Sequence, residues 1–253
     1  MSRDDAERWR DRNRDAWNAD RYAAWVGAFG PPEAEAARLI ADPAHKLRRL
    51  APYLGDVAGL SICNVQGSHG RVAVALALLG AQATVLDFAE ENHRYALALA
   101  EAAGVTIDYR LGDVMDAGEL DLAGRFDWLV MELGILHYHQ DLTQFFGVMA
   151  GLMAEGGRLL LNEFHPLQRK LLQPPEGAPA DYFSADIVVA DVPNPSGDGR
   201  RLSECGYRYW TLGEVVTATV RAGLRVERLD EHPDWTDPKL PGTFTLIAAR
   251  PGR

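Results

Sequence analysis

From residue 60 onward, short apolar runs alternate with longer stretches whose apolar positions recur every three or four residues. LSICNV (60–65), ATVLDF (83–88), VTIDYR (105–110), FDWLVM (126–131) and RLLLNEF (158–164) have the length and content of buried strands. Between them, RVAVALALLG predicts a helix stopped by Gly80. The Ala-, Leu- and Glu-rich residues 90–103 predict another, stopped by Gly104. Asp141 caps a third helix, which buries Phe145, Val148, Met149 and Leu152 on one face, and Gly156-Gly157 turns the chain into the fifth strand. Strands separated by helices of this length form βαβ units, so the pattern predicts a parallel sheet covered on both sides.

After the fifth strand the rhythm breaks. Residues 166–209 hold six prolines among polar and aromatic residues, which predicts a long irregular insertion. Thr211-Leu212-Gly213-Glu214 is a capping box that opens a helix ending near Gly223, and LRVERL and TFTLIAAR supply two final strands. The first 59 residues read as helical: Asp42-Pro43 is a cap and first helical residue, and Pro52 ends that helix. Trp9, Trp17 and Trp25 are eight residues apart, a step that drifts about 80° around a helix, so they form no single stripe. Tyr22 and Trp25, three apart, share a face. No period of 20 to 50 residues repeats.

Composition narrows the function classes. The chain has 253 residues, 47% hydrophobic and 25% charged, an ordinary globular balance. Its net charge of −10, with no dense Lys/Arg block after the mixed Arg/Asp start, argues against nucleic acid as the partner. Two cysteines give neither a disulfide framework nor a metal-finger spacing. The charged start MSRDDAERWR is unlike a secretory signal, and the apolar stretch Val72 to Leu86 is broken by Gly80, Gln82 and Thr84 and is too short to span a bilayer. A soluble, cytoplasmic protein without a membrane partner is the expectation.

The most informative stretch is NVQGSHGRVAVALALLGAQATVLDF, in which a strand enters a glycine-containing loop, a helix leaves it, and the next strand ends at Asp87. Small loop residues let the backbone approach a ligand, and a carboxylate at the second strand's end accepts hydrogen bonds from ribose hydroxyls. That suits a dinucleotide or S-adenosylmethionine. No G-x-G-x-x-G stands at the strand-to-helix turn, which disfavours a nicotinamide-dependent oxidoreductase.

The segment from Leu60 to about Leu161, and more loosely the rest to the C-terminus, resembles the class I S-adenosylmethionine-dependent methyltransferases of the small-molecule, natural-product type. Asn64-Val65-Gln66-Gly67-Ser68-His69-Gly70 stands in place of that family's D-x-G-x-G-x-G, with Asn64 for the acid and Gln66 and Ser68 for two glycines. Asp87, followed by Phe88, matches the ribose-binding acid, and Gly112-Asp113-Val114 matches the adenine-binding segment. Glu132-Leu133-Gly134-Ile135-Leu136-His137-Tyr138 matches the segment beside the methionine portion and the substrate. Ala154-Glu155-Gly156-Gly157-Arg158-Leu159 resembles the L-x-P-G-G-x-L turn, and TFTLIAAR an antiparallel seventh strand. The resemblance implies a seven-stranded, mostly parallel, doubly wound α/β sheet with an antiparallel last strand. Within a single domain, 1–59 form an N-terminal helical cap, 60–165 the cofactor-binding core, 166–210 an inserted lid, and 211–253 the C-terminal helix and strands. The implied cofactor is S-adenosylmethionine, with S-adenosylhomocysteine as product.

A sulfonium methyl is already activated, so catalysis needs alignment, exclusion of water and, for a protonated nucleophile, a base. His137 and His165 are the candidate bases, each following a strand at the carboxyl edge of the sheet, while His139 reads as a solvated loop residue. Glu132 holds the cofactor amine or orients its loop. Tyr22, Trp25, Tyr138, Glu163, Tyr182 and Tyr209 are the candidate acceptor wall, aromatic residues of the cap and lid above all. The H-x-H and E-x-H pairs lack a carboxylate-rich metal site, and no metal is expected. The expected reaction is methyl transfer to an aromatic or heterocyclic small molecule, indole-like in the favoured case, with N-, O- and C-methylation open. A non-catalytic protein that binds the cofactor is the alternative. A homodimer stays open.

Overall fold

The structure, a computed structural model, describes residues 3–175, 178–197 and 203–252. Five helices precede the sheet: α1 (Arg3–Asn18), α2 (Arg21–Phe29), α3 (Pro32–Ala41), α4 (Pro43–Lys46) and α5 (Ala51–Leu54). The core then runs β1 (Ser61–Val65), α6 (Arg71–Leu78), β2 (Gln82–Asp87), α7 (Glu90–Ala102), β3 (Asp108–Leu111), β4 (Phe126–Glu132), α8 (Leu142–Leu152) and β5 (Met153–Phe164). Two short strands follow, β6 (Ile187–Asp191) and β7 (Glu204–Arg208), and then α9 (Leu212–Arg221), β8 (Arg225–Pro233) and β9 (Pro241–Ala249).

The seven-stranded sheet has the order β3-β2-β1-β4-β5-β9-β8. Six strands share one direction, and β9 alone runs antiparallel, between β5 and β8. The central strand β1 is almost wholly buried because helices cover both of its faces. Val72, Leu76, Tyr95 and Leu99 pack with the N-terminal helices on one face, and Phe145, Phe146, Met149 and Val215 pack on the other. Among the described residues no helix is long and apolar enough to cross a membrane.

Four local expectations change. The third strand starts at Asp108, because the Val105 N–H bonds the Ala100 carbonyl (3.1 Å) in the C-terminal turn of α7, with Gly104 at φ 68°. Gly156-Gly157 lies inside β5: α8 runs straight into the strand, and the register against β4 slips between Phe126↔Met153 and Trp128↔Arg158, with Gly156 at φ 72°. Pro52 does not end the helix begun at Pro43. It sits in the first turn of α5, where a missing N–H costs little. The insertion is also partly regular, since β6 and β7 pair as an antiparallel ribbon; its residues 176–177 and 198–202 lie outside the described residues. The caps read from Asp42, Asp141 and Thr211–Glu214 all form.

The ribbon is tied to the cap. The Asn13 side chain accepts from the Gly206 N–H (2.9 Å) and donates to the Gly206 carbonyl (3.3 Å), and the Trp9 ring lies where a Cβ on residue 206 would stand. Gly206→Ala should therefore lower stability by about 1–3 kcal/mol through overpacking. Faster tryptic cleavage in α1 together with a lower Tm is the expected result; an unchanged Tm would show that α1 does not depend on this contact.

Candidate functional site

β1 delivers the chain to a loop whose backbone is unusual. Gln66 (φ 48°) and Ser68 (φ 49°) both adopt the left-handed conformation, which costs a non-glycine residue about 1 kcal/mol or more. Named bonds offset that cost. The Gln66 N–H reaches the Leu86 carbonyl (2.7 Å), and the Gln66 side chain accepts from His139 Nε2 (2.8 Å). The Ser68 N–H donates to Asp87 (3.0 Å), and the Tyr109 hydroxyl donates to the Ser68 carbonyl (3.1 Å). Gly67 must stay glycine, since a Cβ would sit 2.5 Å from Asn64 Oδ1. Asn64 itself donates to the Val130 carbonyl (3.2 Å) and so ties β1 to β4.

Asp87 accepts from the N–H groups of Ser68 and Ala89 (2.9 Å) and from the Asn92 amide (3.3 Å). Burial raises its proton affinity, and these bonds oppose the rise. A carboxylate offers about four acceptor positions, so capacity remains on the side that faces the cavity. On the next loop, buried Glu163 accepts from the N–H groups of Gly134, Ile135 and Phe164 (2.7 Å each) and of Leu136 (3.2 Å). It holds the turn in which Leu133 (φ 49°) and Gly134 (φ 86°) are both left-handed.

These two loops face one cavity of about 620 Å³. Of the residues expected from sequence, Asn64, Gln66, Gly67, His69, Asp87, Phe88, Glu132, Leu133, Trp25 and Tyr138 line it. His69 is wedged against Trp25 (4.4 Å) and Phe29 (5.0 Å), and burial, reinforced by nearby cations, holds it well below the usual histidine range. Asn64 Oδ1, Ser68 Oγ and His69 Nδ1 are buried without a hydrogen-bond partner among the described residues. Three orphaned polar atoms, one near the end of β1 and two on the loop that follows, mark a surface made for a polar ligand.

Other expected residues lie elsewhere. Gly70 (φ 74°) is pressed against Ala96 beneath the loop. Gly112, Asp113 and Val114 are not among the residues that line the cavity; Asp113 caps the Met115 N–H (2.9 Å) and pairs with Arg10 of α1 (2.9 Å). Tyr22 packs on α7 against Tyr95 (5.6 Å) and Arg94 (4.9 Å), away from the cavity. The Tyr182 hydroxyl accepts from the Leu212 N–H (3.3 Å) at the start of α9. His165 has both ring nitrogens engaged, Nδ1 accepting from the Leu167 N–H (3.1 Å) and Nε2 donating to Glu231 (2.8 Å). His137, Glu163 and Tyr209 border a second, smaller cavity of about 30 Å³ behind the Leu133–Leu136 turn. Burial lowers His137 to about 3 and His139 to about 4, and His139 is buried against Phe145 rather than solvated.

Sequence reasoning missed one whole wall. Helices α3 and α4 and the turn after them bring Glu35, Arg38, Asp42, His45, Lys46, Arg48 and Arg49 to the cavity, joined there by Arg71. Glu35 is 1% exposed between Arg38 (2.7 Å) and Arg71, and Lys46 pairs with Glu132. The signal was present as HKLRR at 45–49, a short basic block within an acidic chain, which corrects the reading that no such block follows the N-terminus.

Residues 64–161 match the methyltransferase domain family model. A ubiquinone biosynthesis O-methyltransferase of Methylobacterium nodulans (strain LMG 21967 / CNCM I-2342 / ORS 2060) is 35% identical over 170 residues, covering 66% of this chain and 60% of that protein. Another, of Xanthomonas axonopodis pv. citri (strain 306), is 31% identical over 151 residues, covering 56% and 59%. The chain thus spans about three fifths of the length of these curated relatives. The magnesium protoporphyrin IX methyltransferase from Synechocystis PCC 6803, solved with bound S-adenosylmethionine, superposes with a TM-score of 0.59 at 17% identity, covering 94% of this chain and 95% of that one. The matched domain and the strand order agree: residues 64–161 are a methyltransferase domain, and the chain has the fold of the S-adenosylmethionine-dependent methyltransferases.

Proposed function

We propose that this chain transfers a methyl group from S-adenosylmethionine to a small-molecule acceptor, with oxygen as the favoured nucleophile and S-adenosylhomocysteine as the product. The observation that carries the reading is that the β1–α6 loop, Asp87 and the turn after β4 face a single cavity. The names of the sequence relatives support oxygen as the receiving atom.

When bound, the cofactor supplies an electrophilic sulfonium methyl. The residues present fit it. Asp87 holds the ribose hydroxyls, and the orphaned atoms of Asn64, Ser68 and His69 meet its other polar groups. Gly67 lets the loop backbone lie close to it. The Asp113–Val114 segment addresses the adenine, with Arg10 tying α1 to that position. Glu163 acts at one remove: by fixing the N–H groups of Gly134, Ile135 and Leu136 it sets the turn that follows Glu132 and carries Leu133 toward Tyr138. Trp17, Trp25 and Tyr138 wall the cavity and exclude water.

Of the two histidines expected as bases, His137 is the one free of hydrogen bonds among the described residues. It stands directly behind Gly134, its Cε1 3.4 Å from where a Cβ would be, so that Gly134 lies between it and the main cavity. We assign it the acceptor's proton. His165 we assign to holding the end of β5 against β8.

Two measurements test this. Calorimetric titration of S-adenosylhomocysteine should show Asp87→Asn binding about 10- to 100-fold more weakly at unchanged secondary structure, the loss expected for charge-assisted hydrogen bonds. Equal affinity would remove the ribose role. For proton transfer, His137→Asn should lower kcat by about 10²-fold with a phenolic acceptor while leaving S-adenosylhomocysteine affinity intact. Burial lowers the imidazole to about 3, so its neutral, proton-accepting form persists from pH 8 down to pH 5. The rate should show no histidine inflection near pH 6.5, and a fall there would assign the base elsewhere.

A further inference from the structure

The cavity carries five Lys and Arg side chains, Arg38, Lys46, Arg48, Arg49 and Arg71, against four acids, in a chain whose net charge is −10. Most of these charges answer one another. Arg38 and Arg71 share Glu35, Lys46 pairs with Glu132, Asp42 caps the His45 N–H (2.9 Å), and Asp87 is held by its loop. Arg48 and Arg49 have no carboxylate among the described residues. Arg48 donates only to the His45 carbonyl (3.0 Å), and Arg49 stacks on the Trp235 ring at 4.5 Å. Two guanidinium groups in a cavity wall without a counter-charge favour an anion there.

Their position separates them from the ribose end of the site. Trp235 lies in the β8–β9 connection, with its ring 6.4 Å from Phe164 at the end of β5. In the sheet order β5 is three strands from β2, about 14 Å at ~4.8 Å per strand. Asp87 ends β2, so Arg49 stands on the opposite flank. There a guanidinium stands at each end of a ring pair: Arg49 on Trp235, Trp235 beside Phe164, and Arg169 over Phe164 at 4.5 Å. Trp235 is 61% exposed, a large aromatic face beside the cavity-lining Arg49.

We propose that this flank is the acceptor site and that it selects a planar acceptor carrying an oxyanion, carboxylate or phosphate, which Arg48 and Arg49 clasp while Trp235 covers its ring. The inference rests on the methyl-transfer reading above and deepens it. It favours an anionic aromatic acceptor over the neutral, indole-like one that the aromatic content of the chain alone suggests. Arginine forks match both oxyanions in two-point geometry, and the surplus positive charge also draws such a molecule toward an otherwise acidic protein.

The test uses the full chain saturated with S-adenosylhomocysteine and three probes: benzoate, phenyl phosphate and neutral benzamide. Binding is read by calorimetry on wild type and on the double variant Arg48→Gln/Arg49→Gln. At least one anionic probe should bind ten-fold or more tighter than benzamide, its identity distinguishing carboxylate from phosphate. The double variant should erase that preference while binding S-adenosylhomocysteine within two-fold of wild type. Equal affinity for all three probes, or a preference that survives the double variant, would overturn the inference and leave the methyl-transfer reading standing. A ten-fold loss of S-adenosylhomocysteine affinity in the variant would also overturn it, because the arginines would then be holding the cofactor's own carboxylate. If wild type failed to bind S-adenosylhomocysteine at all, the methyl-transfer reading itself would fall, and this inference with it.

Discussion

At the carboxyl edge of a parallel sheet the strands stop, and the connecting loops are left with N–H groups that no ladder can satisfy. This protein meets that constraint with two buried carboxylates. Asp87 takes the N–H groups of Ser68 and Ala89, and Glu163 takes those of Gly134, Ile135, Leu136 and Phe164. Burying a carboxylate is unfavourable unless such donors surround it. Each acid therefore needs its loop as much as the loop needs the acid. The left-handed residues Gln66, Ser68, Leu133 and Gly134 all sit on these two loops, and the cavity opens between them.

The N-terminal helices extend the same logic to charge. Glu35 reaches from α3 to Arg71 at the start of α6, Lys46 reaches Glu132 at the end of β4, and Arg10 reaches Asp113 after β3. Three ion pairs therefore tie the cap to the start of α6, the end of β4 and the segment after β3, and two of them, Glu35–Arg71 and Lys46–Glu132, line the cavity. Two of them are largely withdrawn from solvent, so they hold geometry more than they add stability. Arg21, stacked on Trp17 (4.2 Å) and Trp25 (4.9 Å) and donating to the Pro193 carbonyl (2.9 Å), connects the cavity wall to the insertion after β5.

Much of the fold was legible along the chain because its signals are local. Strand runs, the Thr211–Glu214 capping box and the Asp141 cap each act within a few residues, and the structure forms them where the pattern places them. The errors are also local, and they share a cause: competition for a backbone hydrogen bond. Val105 is spent on the end of α7, and the Gly156-Gly157 pair is absorbed into a bulge once β4 lies alongside. The β6–β7 ribbon was hidden because its partner strands are short and separated by a proline-rich stretch.

The site divides along the same line. Sequence by itself determined the parallel sheet and the loop-then-acid constellation of Asn64 to Asp87, because each of these is contiguous or rests on fixed spacing. Only the tertiary structure decided that His137 and His165 stand apart from the main cavity, that Tyr22 turns toward α7, and that Arg48 and Arg49 have no counter-charge among the described residues. Those outcomes depend on which elements more than thirty residues apart come to lie together, and a side chain's partners across that distance leave no trace in the periodicity of its own segment.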